Sequence, residues 1–232
     1  MKKILLLLSV ITLFSCSNDD DSNNEQKAKK YVDVVTLTSN GETSTINLTY
    51  NDAKEIIRYS RAGTHLAYQY DQGRLVRVTD TDSDDFASQL FYTNGELTSF
   101  KQYESTYPIT YTAADNSYTF EGIGFKVGIA GRDIAYVNES GTMQKFSYSN
   151  DNKGPMYNVP TDRAYLVPLF SEYMYIILTS KPTTQFKIND DGTERVYNAA
   201  HTFDDEGYVT STILRSSNEE FLSAQFHYVT LE

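Results

Sequence analysis

The chain has 232 residues, with 20 Lys and Arg against 31 Asp and Glu, which gives a formal net charge of −11. This acidic balance disfavours phosphate backbones as partners, so nucleic acid is excluded as a ligand class. The 19 Tyr and 12 Phe, with no Trp, favour pleated, half-buried sheet surfaces. The length suits one sizeable core, and we predict a single β domain over residues 31–232.

Residues 1–15 are typical of a secretory signal peptide. Lys2 and Lys3 precede the apolar run Ile4–Phe14. Eleven residues are too few to cross a bilayer core, which takes roughly 20 in a helix. We therefore predict a cleaved signal and no membrane span in this segment.

The signal ends in Leu13-Phe14-Ser15-Cys16, which resembles the lipobox of bacterial lipoproteins. The resemblance implies cleavage before Cys16 and lipidation of its thiol. Cys16 is the only cysteine in the chain, so an intramolecular disulfide is excluded. Two or more acyl chains suffice for stable attachment, and the expected partner at Cys16 is therefore a membrane.

Residues 16–30 form a polar, acidic stretch that has little to bury, and we predict a flexible tether. Asp19, Asp20 and Asp21 resemble the acidic export signal of Bacteroidetes lipoproteins, although a plain linker is the other interpretation. The expected location is the outer membrane, with the cell surface and the periplasmic face both left open.

A hairpin step repeats along the next hundred residues. Each step begins with an aromatic residue, continues with Asn or Asp and a small residue, and leads into an aliphatic strand. The steps begin at Tyr50, Tyr70 and Tyr92, and a degraded copy begins at Tyr111. Each interval fits two strands and two short turns, and Asn94-Gly95 is the strongest turn signal. The fold class predicted is mainly β: an antiparallel up-and-down meander of about twelve strands, curled or barrel-like.

One segment departs from this pattern. From Leu166 to Ile177 the apolar residues recur at helical spacing, after a candidate cap at Thr161 or Asp162. We prefer one short helix near residues 166–178, starting at Pro168, over a buried strand at 173–179. Its expected role is to cover the apolar face of the curved sheet.

Four features together resemble a family of Bacteroidetes lipoproteins of unknown function with a porin-like fold. They are the lipobox with its acidic tether, the step at 68–75, the Lys153–Met156 segment and the Lys181–Thr183 segment. The family usually has Asn-Pro-Phe where this chain has Gly154-Pro155-Met156. The resemblance runs from about Tyr31 onward and implies a barrel-like meander, but no activity.

The sequence gives no catalytic residues. The thiol is assigned to lipid, and the three histidines, His65, His201 and His227, are expected on polar strand faces or at the surface. No Gly-x-Ser-x-Gly elbow is present, and acid pairs arise readily by chance among 31 acids. The glycines of 122–124 and 128–131 are expected at strand kinks.

We predict no cofactor, and the only candidate metal site is a weak one for calcium. Asp80, Asp82 and Asp84 alternate as carboxylate ligands for calcium do, but the turn glycine and the glutamate of an EF-hand are missing. A solvated hairpin loop is the preferred interpretation.

Three functions follow as hypotheses. The first is a non-enzymatic binding or accessory lipoprotein of the envelope, with a glycan or peptide as ligand. The second is a structural or assembly partner of an outer-membrane protein complex, and the third, least favoured, is an envelope hydrolase. The ligand-binding residues are unknown at this point.

Overall fold

Alternating burial along each strand shows how this sequence forms a sheet. In Thr64–Asp71 the side chains of Leu66 and Tyr68 are buried, whereas Gln69 is exposed. Side chains of a strand point alternately to its two faces, so one face of each strand is apolar and the other polar. Leu66, Tyr68 and Tyr70 share the inner face of this strand.

The computed structural model describes residues 28–82, 87–160, 163–171, 174–217 and 219–231. The signal segment, Cys16 and the acidic residues at 19–21 lie outside these ranges, and so do Asp84, Thr161 and Asp162. The strands are β1 (Lys30–Ser39), β2 (Glu42–Tyr50), β3 (Ile56–Arg61), β4 (Thr64–Asp71), β5 (Arg74–Asp80), β6 (Ala87–Thr93), β7 (Glu96–Gln102), β8 (Ser105–Thr112), β9 (Ser117–Phe120), β10 (Phe125–Ala130), β11 (Asp133–Glu139), β12 (Thr142–Tyr148), β13 (Thr183–Asp190), β14 (Thr193–Phe203), β15 (Val209–Ser216) and β16 (Glu219–Thr230).

These strands form a closed antiparallel barrel in which each strand pairs with its neighbours in sequence and β1 pairs with β16. The predicted mainly-β, up-and-down meander is confirmed. The predicted number of about twelve strands is wrong, because short strands without the aromatic-Asn-Gly step, such as β9, were not recognised.

The repeated tyrosines close hairpins of the barrel. In five of them a tyrosine near the end of the second strand donates its hydroxyl to a backbone carbonyl near the start of the first, at 2.5–2.9 Å. The pairs are Tyr50 with Val32, Tyr70 with Ile56, Tyr92 with Leu75, Tyr148 with Ile134, and Tyr228 with Val209. Three of these belong to the repeat seen in the sequence, which therefore has a structural cause.

The two ends of the barrel differ. At one end, which we call the turn rim, successive strands are joined by tight turns such as Asn40-Gly41 and Asp191-Gly192. At the other end, the insert rim, β1 begins, β16 ends, and residues 149–182 connect β12 to β13. We call residues 149–182 the insert.

The insert packs its described helical part against the inner wall of the barrel. It carries two helices of four residues each, α1 (Leu166–Leu169) and α2 (Met174–Ile177), where one helix was predicted. The Tyr68 hydroxyl of β4 lies 2.6 Å from Ser171 Oγ, and Thr183 donates to the carbonyl of Ile176 at 3.0 Å. The expected covering role is confirmed by these buried contacts. Within the described residues, no helix is long and apolar enough to cross a membrane.

The outer wall is polar where the inner wall is apolar. On β2 the exposed positions are Glu42, Thr43, Thr45, Asn47 and Thr49, and the buried ones, Ile46 and Leu48, are apolar. On β8 the exposed residues include Thr106 and Thr110 as well. A barrel that contacts lipid through its wall carries the opposite pattern, with an apolar band outside and a polar interior.

Candidate functional site

A cleft of about 410 Å³ opens at the insert rim. Turns between strands form one side of it, and the insert forms the other. Its lining combines tyrosines, arginines, planar polar side chains and turn glycines: Gln72, Gly73, Arg74, Gly95, Glu96, Tyr111, Asn116, Tyr118, Ile129, Gly131, Arg163 and Tyr165. This volume is within the usual range for small-ligand pockets.

Turn chemistry places the cleft residues. Asn94 and Gly95 both have positive φ, +51° and +88°, as does the Gln72-Gly73 pair. Such turns match the twist of the flanking strands. Arg74 and Glu96, the first residues after these two turns, therefore lie at the same rim of the barrel. The predicted turn at Asn94-Gly95 is confirmed.

Arg163 of the insert is the centre of the cleft's hydrogen-bond network. Its guanidinium donates to the Gly95 carbonyl at 2.9 Å and to Tyr165 Oη at 3.3 Å, and it also donates to Tyr118 Oη. An ion pair with Glu96 joins Nη2 to Oε2 at 3.2 Å, and Tyr118 donates to the same carboxylate oxygen at 3.0 Å. These contacts fix the insert against the turns.

Tyr92 lies beneath both arginines of the cleft. The guanidinium carbons of Arg74 and Arg163 are 5.8 and 5.9 Å from its ring centroid, within cation–π range. Burial raises the pKa of Tyr92 to about 12, although both arginines act to lower it. The phenol is therefore neutral at physiological pH and presents an apolar ring to the two cations.

The outer edge of the cleft is aromatic. Tyr111 is 39% exposed, and its ring centroid lies 5.0 Å from that of Tyr118. The Tyr111 hydroxyl donates to Asn116 Oδ1 at 3.0 Å, while Asn116 Nδ2 donates to the Ile129 carbonyl at 2.8 Å. Tyr111, the degraded copy of the repeat, thus faces the cleft and does not close a hairpin.

Among the described residues that line the cleft, cationic side chains outnumber anionic ones, although the protein as a whole is acidic. Its described lining holds two arginines and one carboxylate, and Glu96 is paired with Arg163. In the described part of the chain, no carboxylate lies within ion-pair distance of Arg74. An Arg of this kind can bind a carboxylate of a ligand through two parallel hydrogen bonds.

The three histidines do not belong to this cleft. His65 lies 3.6 Å from Asp82 and His227 lies 2.7 Å from Asp33, both on the outer wall, as expected. His201 differs, because it faces the interior: Nε2 is 2.7 Å from the Thr183 carbonyl, and Nδ1 is 2.9 Å from Thr212 Oγ1. Burial lowers the pKa of His201. The expected surface position is therefore wrong for His201, which is a neutral, hydrogen-bonded residue.

The weak calcium candidate is only partly described. Asp80 Oδ1 accepts from the Asp82 backbone N–H at 2.9 Å, a local turn contact, and Asp84 lies outside the described residues. Within the described ranges, no group of three or more His, Cys, Asp or Glu side chains is arranged to hold a metal ion.

Two motifs behind the family resemblance meet in space. The backbone N–H of Gly154 donates to the Ser180 carbonyl at 2.9 Å, and that of Met156 donates to Thr179 at the same distance. The Lys153–Met156 segment thus packs against the residues that lead into the Lys181–Thr183 segment, where the insert joins the barrel.

The glycines expected at strand kinks fall into two groups. Gly128 lies at a β-bulge in β10, as predicted. Gly122, Gly124 and Gly131 instead lie in turns with positive φ, so the kink prediction is wrong for these three. In the sequence, glycines in turns between short strands have the same spacing as glycines at kinks within one long strand, so the two cases could not be distinguished.

Sequence reasoning did not find the cleft residues. Arg74 and Glu96 occupy the same position of the repeat, directly after the turn glycine, in adjacent hairpins. Residues at the same position of the repeat lie at the same rim of the barrel, so the repeat could have indicated that Arg74 and Glu96 lie close together. Arg163 lies in the insert, which has no repeat partner, and nothing in its local sequence marks it.

Comparison with known proteins gives a fold likeness only. A scan against protein-family models found no match, and a search of curated proteins also found none. Two solved structures are similar: a porin-like protein from Bacteroides vulgatus, at 12% identity and a TM-score of 0.47, covering 88% of this chain and 100% of that one; and a porin-like protein from Bacteroides uniformis, at 13% and 0.49, covering 85% and 98%. The chain resembles these Bacteroides porin-like proteins in fold. Nothing about binding or activity follows from that likeness.

Proposed function

We propose that this chain is a non-enzymatic binding protein, held at the outer membrane by lipid on Cys16, whose insert-rim cleft binds an acidic saccharide. The observation that carries the proposal is the cleft itself. Tyrosine rings and planar polar side chains line it, and Arg74 has no carboxylate partner among the described residues.

The chemistry of the lining favours a saccharide. Aromatic faces pack against the C–H surface of a sugar ring, and planar groups such as Gln72, Asn116 and Glu96 suit neighbouring hydroxyls. Arg74 adds a position for a carboxylate, which favours a uronic acid over a neutral sugar. Tyr111, the exposed ring at the edge, is the expected stacking platform.

The proposal of a binding protein and not a hydrolase has support in the same lining. Glycoside hydrolysis commonly uses two carboxyl groups across the scissile bond. Glu96 is the single carboxylate among the described lining residues, and it is held in an ion pair with Arg163.

A binding screen tests the cleft. We expect the full barrel domain to bind oligogalacturonates in calorimetry and to bind neutral oligosaccharides of the same length at least tenfold more weakly. Arg74→Gln removes a charge-assisted hydrogen bond worth about 1.5–3 kcal/mol, so affinity should fall about tenfold or more. Arg58→Gln, an exposed arginine on the outer wall, is the matched control. Equal binding of acidic and neutral sugars would contradict the proposal.

The anchor has its own test. The polar outer wall supports attachment through lipid and not through the barrel wall. In cells fed a labelled fatty acid, Cys16→Ser should lose the label and leave the membrane fraction, while Ser17→Ala should keep both. Membrane association of the Cys16→Ser protein would show that the anchor assignment is wrong. Protease shaving of intact cells then decides between the cell surface and the periplasmic face.

A further inference from the structure

The chain enters the barrel at the insert rim, which determines the side of the barrel on which the anchor lies. β1 begins at Lys30, so residues 16–29 connect the proposed lipid on Cys16 to this rim. A chain of that length spans at most about 50 Å when it is fully extended, and a flexible one averages about 20 Å from end to end. The anchor therefore keeps the first residue of β1 close to the membrane.

The turn rim lies farther from the anchor than the insert rim does. Each residue of a strand adds about 3.3 Å, and the strands of a barrel are tilted by roughly 35–45°. β1 has 10 residues, so the barrel wall is roughly 25 Å high. An anchor attached at the insert rim therefore favours this rim as the surface that faces the bilayer.

Exposed aromatic side chains lie beside the point where the chain enters β1. Tyr157 is 45% exposed and Phe203 is 39% exposed. Asn158, the residue after Tyr157, donates its side-chain amide to the Lys30 carbonyl at 2.8 Å, and to Tyr208 Oη at 2.7 Å. These bonds hold the aromatic residues against the first residue of β1. We call this surface the entry patch, and it consists of Lys153, Tyr157, Phe203 and Tyr208.

The entry patch is fixed to the barrel and has the composition of a membrane–water interface. The backbone N–H of Lys153 donates to the Gly207 carbonyl at 2.9 Å, and Lys153 bridges to Tyr208. Its ammonium nitrogen lies 4.4 Å from the ring centroid of Tyr208 and 5.5 Å from that of Tyr157. Tyrosines are enriched where a bilayer meets water, and a lysine there keeps its ammonium in the water while its stem covers apolar surface.

We propose that the entry patch contacts the surface of the bilayer that carries the anchor, so that the barrel stands with its insert rim toward the membrane. This inference rests on the anchor of the proposed function. The rings of Tyr157 and Phe203 lie among the lipid headgroups, and the ammonium of Lys153 stays in the water. Because the chain has a net charge of −11, the partner is a zwitterionic bilayer, since an anionic one would repel the protein.

The composition of the chain provides a direct test. The chain has no tryptophan, so a single introduced tryptophan reports its own position. Cys16 is the only cysteine, and its thiol can be coupled to a maleimide lipid in phosphatidylcholine vesicles. This coupling supplies an anchor whether or not cells lipidate Cys16, so a wrong orientation and a wrong anchor assignment are distinguishable. The probe is phosphatidylcholine brominated near the top of its acyl chains, which quenches tryptophan fluorescence at short range.

Two reporters compare the rims. We expect Tyr157→Trp to be quenched at least about threefold more strongly than Tyr103→Trp, which lies at the turn rim, a wall height of roughly 25 Å away, and replaces a 61% exposed tyrosine. In the Tyr157→Trp protein, Phe203→Ser should lower the quenching. Phe91→Ser, at a similarly exposed phenylalanine on the outer wall, should leave it unchanged. Equal quenching of the two reporters, stronger quenching of Tyr103→Trp, or no effect of Phe203→Ser would overturn the proposal.

Discussion

The hydroxyl of Tyr70 donates a 2.9 Å hydrogen bond to the carbonyl of Ile56, the first residue of the neighbouring strand β3. The bond joins the open end of the β3–β4 hairpin, opposite its turn. Four further hairpins carry the same tyrosine-to-carbonyl bond, so the tyrosine content of this chain has a direct role in the barrel.

We expect Tyr70→Phe to lower the free energy of unfolding by about 1–2 kcal/mol, because it leaves a partly buried carbonyl without its donor. Urea denaturation followed by circular dichroism measures this. Tyr157→Phe is the control, since Tyr157 is 45% exposed, and its effect should stay below about 0.5 kcal/mol. A loss for Tyr70→Phe no larger than the control's would mean that the bond does not stabilise the fold.

The same tyrosines predict steep alkaline unfolding. Burial raises the pKa of Tyr50, Tyr70, Tyr148 and Tyr228 above the ordinary value, and that of Tyr92 to about 12. Because the pKa of each phenol is higher in the folded than in the unfolded state, the stability of the fold is intact below pH 10 and is lost as the pH rises above 10. Absorbance at 295 nm should show these phenols ionising together with loss of the β-sheet signal. Independent ionisation of all 19 tyrosines near pH 10 would contradict this.

The buried His201 predicts that the protein loses stability as the pH falls below neutral. Its folded-state pKa is lowered by burial, so its contribution is complete above the unfolded value near 6.5 and is lost as pH falls below it. Between pH 7 and 5 the wild type should lose more stability than His201→Gln, by up to about 1.4 kcal/mol per pH unit. Denaturant midpoints at both pH values test this. Parallel losses in both proteins would exclude a role for His201.

Gly154→Ala tests the junction of the insert with the barrel. A Cβ at this position would lie 2.3 Å from the Thr179 carbonyl oxygen and 2.8 Å from the Lys181 nitrogen, and backbone atoms of this kind do not move cheaply. We expect a loss of about 1–3 kcal/mol, typical of overpacking. At Gly128 the obstacle is the movable ring of Tyr136, so Gly128→Ala should cost less. The reverse order of the two losses in thermal unfolding would show that the junction can adapt.

Glu96→Gln tests the electrostatics of the insert-rim cleft. Removing this carboxylate takes one negative charge out of the cleft, so an acidic saccharide should bind roughly threefold to tenfold more tightly, because one repulsion between partly solvated charges is lost. A neutral saccharide should be unaffected. The calorimetric comparison of wild type and Glu96→Gln at low salt gives the answer, and weaker binding of the acid would contradict the proposed charge preference.

The sequence predicted the fold class because its repeat is local. Tyr70, the turn at Asn94-Gly95 and the alternation around Leu66 each follow from short-range geometry, and each is found in the structure. The number of strands was wrong because β9 has four residues and no turn signature of the repeated kind.

Closure and the sites were harder to predict for a physical reason. The interior position of His201 depends on a register that places it beside Thr212 and Thr183, contacts 11 and 18 residues away in sequence. The contact between Arg163 and Glu96 spans 67 residues and forms only once the insert enters the barrel. Such long-range juxtapositions leave no local pattern in one sequence.

The pairing of β1 with β16 also means that the barrel closes only when the last strand is present. Roughly 180 residues separate Ser39 from Glu219, so at typical synthesis rates β1 waits roughly 10 to 35 s for its partner. During that interval both β1 and the latest strand present unpaired edges, which readily join other strands. A chain of this topology therefore depends on being kept apart from its neighbours until the last strand has been made.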